Sequence, residues 1–312
     1  MKKTAFLFPG QGSQSVGMGF DFFEEFAFVR EIFEMTDEIT KKHISRLCFQ
    51  GPMEELTQTI NLQPAITAVN LAGLGALERE GFTSQYCAGH SLGEYSALCN
   101  AKVVSPEDTL RLVFKRGELM HREATRHSGA MHAIIGLKIQ EVEELVSRVR
   151  SEGIVSVANH NAELQIVTTG EPGPVEKVSE LAKEKGAKAI PLKVSGAWHS
   201  GLMQGAEDEF MSFMEPFSFN DPQGAVIHTV TADRLADPEE SKAVMDRQLY
   251  SPVRWFDSMK KLIDEEVEIF AEIGPGRVLT GLLKKILPAD YPCKTYNINS
   301  IKAFEGFLKQ AS

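Results

Sequence analysis

Short unbroken apolar runs alternate along the chain with longer stretches of 3.6-residue periodicity. Thr4 to Phe8 alternates little and reads as a fully buried first strand running into a Gly-rich loop at 9–14. Residues 21–40 read as a helix rich in Phe and Glu, and Gly51-Pro52 precedes another helical entry at 53–56. Residues 63–81 predict an Ala/Leu-rich amphipathic helix ended by Gly81. A short strand at 85–88, a tight Gly-rich turn and a helix over 94–100 follow. Ser105-Pro106-Glu107-Asp108 is a helix start, with a Ser N-cap, Pro at the first helical position and acids in the first turn. That helix runs to about residue 124, with a buried stripe at 110, 113, 114 and 117. Arg116 lies at the stripe's margin, where the periodicity by itself favours a solvated or snorkelling side chain.

From 129 to 195 the rhythm changes. Strands at 131–136, 154–158, 164–168 and 187–194 and helices at 140–150 and 174–185 give the order βαββαβ, a ferredoxin-like unit, with 159–163 as the link between its middle strands. The chain then resumes the first rhythm: helix 201–214, strand 225–230, helices 237–249 and 252–265, strand 267–273, a Gly-Pro-Gly turn, helix 277–287 and a last strand and helix. Such alternation predicts a mostly parallel sheet covered on both faces. The expected organisation is a discontinuous α/β domain over 1–126 and 197–312, with an inserted small subdomain over 127–196.

Composition adds exclusions. At 43% hydrophobic and 24% charged residues the chain reads as an ordinary globular protein, and no apolar run approaches a membrane span. The formal net charge of −10 argues against nucleic acid and anionic membranes as partners. Four cysteines without metal-ligand spacing are expected to be reduced, so a cytoplasmic location fits best, with no metal.

Gly89-His90-Ser91-Leu92-Gly93, between a strand and a helix, carries the candidate chemistry. Ser in G-x-S-x-G at such a turn is a nucleophile elbow, its hydroxyl lifted out of the sheet at the positive end of a helix. A Gly-rich βα turn with an incidental serine accounts for the five residues equally well. The 9–14 loop lacks the G-K-[ST] ending of a phosphate loop and the spacing of a dinucleotide fingerprint. A serine nucleophile needs a base. His90 adjoins Ser91 but points elsewhere on a tight turn; His43, His121, His127 and His228 carry no further signal; His199 stands at a chain re-entry before a helix, one candidate of several.

Phe8-Pro9-Gly10-Gln11-Gly12-Ser13-Gln14 resembles the opening signature of the malonyl-CoA:acyl carrier protein transacylases, and Gly89 to Tyr95 resembles their nucleophile motif. Arg116-Gly117, Gly129-Ala130-Met131, Trp198-His199-Ser200, Arg247 to Tyr250 and Gly274-Pro275-Gly276 continue the likeness in order along nearly the whole chain. The resemblance implies a hydrolase-like α/β core with the ferredoxin-like insertion. It also implies malonyl-CoA and a transient acyl carrier protein as partners, fatty-acid chain elongation as the setting, no cofactor and a monomer.

The resemblance assigns roles by position. Ser91 is the nucleophile and His199 the base, with the Gln248 carbonyl orienting His199 in place of a triad carboxylate. The amides of Gln11 and Leu92 form the oxyanion hole, and Arg116 receives the malonyl carboxylate. Trp198, where relatives often carry Phe or Ser, reads as a steric filter. His132, where a smaller residue is commoner, is expected to face solvent, opposite Met131. An acidic carrier meeting an acidic enzyme needs local positive potential, for which Arg277, Lys284 and Lys285 on one helix face are candidates. A serine esterase or thioesterase, a polyketide-pathway acyltransferase of related fold and an idle carrier-binding scaffold are the competing readings.

Overall fold

The computed structural model describes residues 2–311. Its strands are β1 (Thr4–Phe8), β2 (Tyr86–Gly89), β3 (Ala130–Ile135), β4 (Val155–Ala162), β5 (Gln165–Gly170), β6 (Lys188–Pro191), β7 (Ala225–His228), β8 (Asp233–Arg234), β9 (Ile269–Ile273) and β10 (Lys294–Ile298). One sheet runs β10-β9-β1-β2-β7-β8, parallel except for the short edge pair β7–β8. The other runs β4-β5-β3-β6, antiparallel throughout, which is the strand order of a ferredoxin-like βαββαβ unit. The mixed α/β fold read from the sequence is therefore the one observed.

β1 lies at the centre of the parallel sheet between β9 and β2, and its near-continuous apolar run is buried on both faces. Its last residue, Phe8, is level with Gly89 at the end of β2, so the 9–14 loop and the 89–93 turn leave the sheet side by side. They meet at the carboxyl ends of the strands, where open α/β sheets place their sites.

Several elements depart from their sequence pattern, each for a packing reason. The 21–40 helix is two, Phe20–Glu25 and Ala27–Thr40, broken at an extended Phe26 whose ring stands between Phe28 and Phe304. The helix expected at 63–81 begins at Thr59, and it is buried all round rather than amphipathic. Thr59–Arg79 is long and apolar enough to cross a membrane, which corrects the expectation from the apolar runs, yet it is the core helix beneath the site. Asn159 to Ala162 continue β4 instead of looping, because the backbone around Asn159 pairs with Val253 of the large sheet's layer. His132 does not face solvent: it is buried under the Pro172–Glu184 helix, with Nδ1 2.7 Å from Ser179 Oγ. The helix Ile44–Gln50 and edge strand β8 carried no periodic signal strong enough to be read.

Candidate active site

Glycines make the turn around Ser91 possible. A Cβ on Gly89 would lie 2.0 Å from the Gly93 carbonyl carbon, and one on Gly93 would lie 2.1 Å from the Phe8 oxygen. The neighbouring loop needs Gly10 for the same reason, since a Cβ there would sit 2.3 Å from the His90 oxygen. Ser91 itself is held at φ 53°, a left-handed backbone that costs a non-glycine residue roughly 1–3 kcal/mol. His199 has φ 60° and pays the same kind of strain. Both are almost fully buried and meet across the cleft, Ser91 Oγ to His199 Nε2 at 2.8 Å.

The imidazole tautomer follows from its partners. His199 Nδ1 faces two acceptors, the carbonyls of Gln248 and Ser251, each at 3.0 Å. Nδ1 therefore carries the hydrogen, and Nε2 presents its lone pair to the Ser91 hydroxyl. Burial first, then the charge of Arg116, push the His199 pKa down to about 3, so the imidazole is neutral at physiological pH.

Arg116 is buried beside this pair, against the snorkelling expectation from its helix position. Its Nη2 donates to Ser91 Oγ (3.1 Å), its Nη1 to Gln63 Oε1 (2.9 Å) and its Nε to Gln248 Oε1 (3.2 Å). A guanidinium carries five N–H donors, so these three bonds do not exhaust it. Burial lowers its pKa from the ordinary value, but guanidinium is basic enough to keep its charge.

A cavity of about 560 Å³ opens on Ser91 and His199. The large sheet's layer supplies Gln11, Met120 and Trp198 to its walls, and the antiparallel sheet supplies Met131, Asn161 and Val167. His90 ties the two layers together, its Nε2 lying 2.8 Å from Asn161 Oδ1. Gln11 is anchored through its side chain, which donates to Thr59 Oγ1 (3.1 Å). Among the described residues, neither the Gln11 nor the Leu92 backbone amide is taken up by a backbone carbonyl outside the regular elements. Val278, Leu279 and Leu282 bring the first turns of the Val278–Ile286 helix to the cavity wall. Arg277, Lys284 and Lys285 are exposed on that helix and its cap; Lys285 Nζ donates to Gln165 Oε1 (2.9 Å). At 1.5 Å rise per residue the two lysines lie roughly 9–11 Å beyond Val278.

The structure thus brings Ser91, His199, Arg116 and Gln248 together and sets Gln11 and Leu92 beside them. Periodicity missed Gln63 and Ser251: the first looked like one residue of a core helix, and the second acts through a backbone carbonyl that no side-chain pattern reveals. His228, read as featureless, is a buried partner of Glu94.

A buried serine–histidine pair on an elbow, with two backbone carbonyls where a triad acid would stand and a guanidinium against the serine, is an arrangement suited to acyl transfer. The acyl transferase domain family matches residues 5–301, and the chain belongs to that family. It is 44% identical over 288 residues, 92% of this chain and 91% of the relative, to the malonyl CoA-acyl carrier protein transacylase of Bacillus subtilis. An acyl carrier protein S-malonyltransferase structure from Vibrio cholerae superposes with a TM-score of 0.92 at 38% identity, covering 97% of this chain and 99% of that one. A malonyl-transacylase solved in complex with a type II polyketide acyl carrier protein superposes at 0.93, with 36% identity and 99% of both chains covered.

Proposed function

We propose that this chain is a malonyl-CoA:acyl carrier protein transacylase, a cytoplasmic monomer that passes malonyl groups to a carrier thiol for fatty-acid chain elongation. The single observation that carries the reading is Arg116, a buried guanidinium in contact with the Ser91 hydroxyl. A planar fork matches a carboxylate bidentately, and such a charge-assisted pair contributes roughly 1.5–3 kcal/mol.

The steps follow from the geometry. Ser91 Oγ attacks the malonyl thioester carbonyl as its proton passes to His199 Nε2. The amides of Gln11 and Leu92 receive the oxyanion. As the C–S bond breaks, the His199 proton goes to the CoA sulfur, and malonate remains as an ester on Ser91. The carrier's phosphopantetheine thiol then gives its proton to His199 and attacks that ester; the C–O bond breaks and Ser91 takes the proton back. The imidazolium formed in each half-reaction keeps its Nδ1 hydrogen on the Gln248 and Ser251 carbonyls. Carbonyls hold the tautomer without setting a second carboxylate against the malonyl group, a repulsion that a low-dielectric site would magnify.

The groups assigned to catalysis come from 1–126 and 197–312, while 127–196 supplies the opposite wall of the cavity, which supports a division of labour between the two parts. Trp198 lines that cavity beside His199, where a filter against branched acyl groups would act. Arg277, Lys284 and Lys285 are exposed on the helix whose Val278, Leu279 and Leu282 line the cavity, which supports this face as the approach for an acidic carrier.

Intact-mass measurement after mixing with malonyl-CoA tests the reading. A malonyl adduct that persists in buffer and is discharged by carrier protein is expected. Decay in water alone would mark a hydrolase, and no adduct an idle scaffold.

A further inference from the structure

Behind the elbow, Glu94 is fully buried and forms no part of the cavity wall. Its carboxylate accepts from Thr229 Oγ1 (2.6 Å) and Gln248 Nε2 (2.9 Å), and its other oxygen lies 2.8 Å from His228 Nδ1. With Nδ1 against a carboxylate, His228 donates there, and its Nε2 lies 3.0 Å from Ser241 Oγ.

The Gln248 side chain relays this arrangement to the site. Its Nε2 donates to both Glu94 Oε2 and the Ser91 carbonyl (3.1 Å), so the nitrogen end meets only acceptors. Its Oε1 is thereby turned to Arg116 Nε. Rotating the amide by 180° would set oxygen against two acceptors and an NH₂ against the guanidinium, leaving buried polar groups unmatched. On the other side, Gln63 holds Arg116 through its own amide oxygen. Arg116 is therefore clamped between two neutral amides, and the nearest acid stands one residue behind, where it does not compete for the terminal nitrogens.

We propose that Glu94 is a positioning residue for acyl selectivity: by locking the Gln248 amide it sets the Arg116 fork to receive a free acyl carboxylate. This rests on the malonyl-transfer reading above. The test is the ratio of kcat/KM for malonyl-CoA to that for acetyl-CoA, measured with carrier protein as acceptor. Glu94→Gln keeps the size but removes the charge, so the ratio should fall about tenfold, with acetyl transfer altered less than about twofold. Thr229→Val, which loosens the same carboxylate from outside the site, should lower the ratio about threefold; it carries the test where Glu94→Gln does not fold. Parallel loss with both donors, or an unchanged ratio in the variants that fold, overturns the proposal. A wild-type enzyme with no preference for malonyl-CoA instead overturns the reading of the site itself.

Discussion

Arg116 Nη2 donates to the Ser91 hydroxyl oxygen at 3.1 Å, so the cation and the His199 base meet at the same oxygen. The far carboxylate of a malonyl group on Ser91 would therefore end near the guanidinium without any movement of the helix that carries it. On the proposed reading this contact is what would distinguish the site from a hydrolase with a similar elbow, by favouring a charged acyl group on the serine.

Removing the fork is the first consequence to measure. Arg116→Ala should lower kcat/KM for malonyl-CoA roughly tenfold to a hundredfold, the equivalent of 1.5–3 kcal/mol, while acetyl transfer is spared. Steady-state assays with the two donors check it; an unchanged malonyl/acetyl preference would remove Arg116 from the carboxylate-binding role.

The base has an unusual pH range. Burial and then Arg116 hold His199 at about 3 against an ordinary 6.5. The folded protein disfavours the imidazolium, so the unfolded chain binds this proton first. Stability from this residue is therefore present above pH 6.5 and is lost as pH falls from 6.5 towards 3. The acid limb of kcat/KM should accordingly lie well below 6.5. Arg116→Ala removes the second cause, and its acid limb for acetyl-CoA should move up towards neutrality. A pH–rate profile that bends near 6.5 in the wild-type enzyme would contradict the burial argument.

The elbow should tolerate no added carbon. Gly89→Ala places a Cβ within 2.1 Å of both the Gly93 carbonyl and the Glu94 nitrogen. A cost of about 4 kcal/mol or more is expected, read as a fall in Tm of roughly 10 °C. Gly281→Ala is the contrast: its Cβ meets nothing within 4 Å on an exposed helix face, so stability should hold or rise by up to about 1 kcal/mol. Thermal melts of the two variants compare a steric requirement with a mere propensity.

Docking of the carrier can be separated from chemistry. Lys284→Glu/Lys285→Glu should raise KM for the carrier about three- to tenfold at low salt, and less at high salt, with kcat unchanged. An unaffected KM would move the docking surface elsewhere.

Much of this was legible in the linear chain. The apolar strands, the βαββαβ order of 129–195 and the Ser105 cap each follow from local periodicity or local hydrogen bonding, and each forms, though 159–162 extends β4 where a link was read and the last strand of the unit is shorter than its apolar run. The elbow is local too, because its glycines are required by atoms within a few residues and in the adjacent strand. What periodicity could not decide is which polar residues turn inward. Arg116 lies on a helix margin and is solvated or buried according to what packs above it. Residues 132 apart in sequence, Arg116 and Gln248, bond only because the sheet brings two distant helix segments to one point. The same holds for His199, singled out among eight histidines by a Ser91 contact across 108 residues and by carbonyls from a third segment. Glu94 stood in plain view within the nucleophile motif, yet its partners His228, Thr229 and Gln248 come from elsewhere. Near neighbours along the chain are enough to specify most of the elements and the strained turn. Which charges lose their water depends on long-range packing, which buries Arg116, His199 and Glu94 side by side from distant segments.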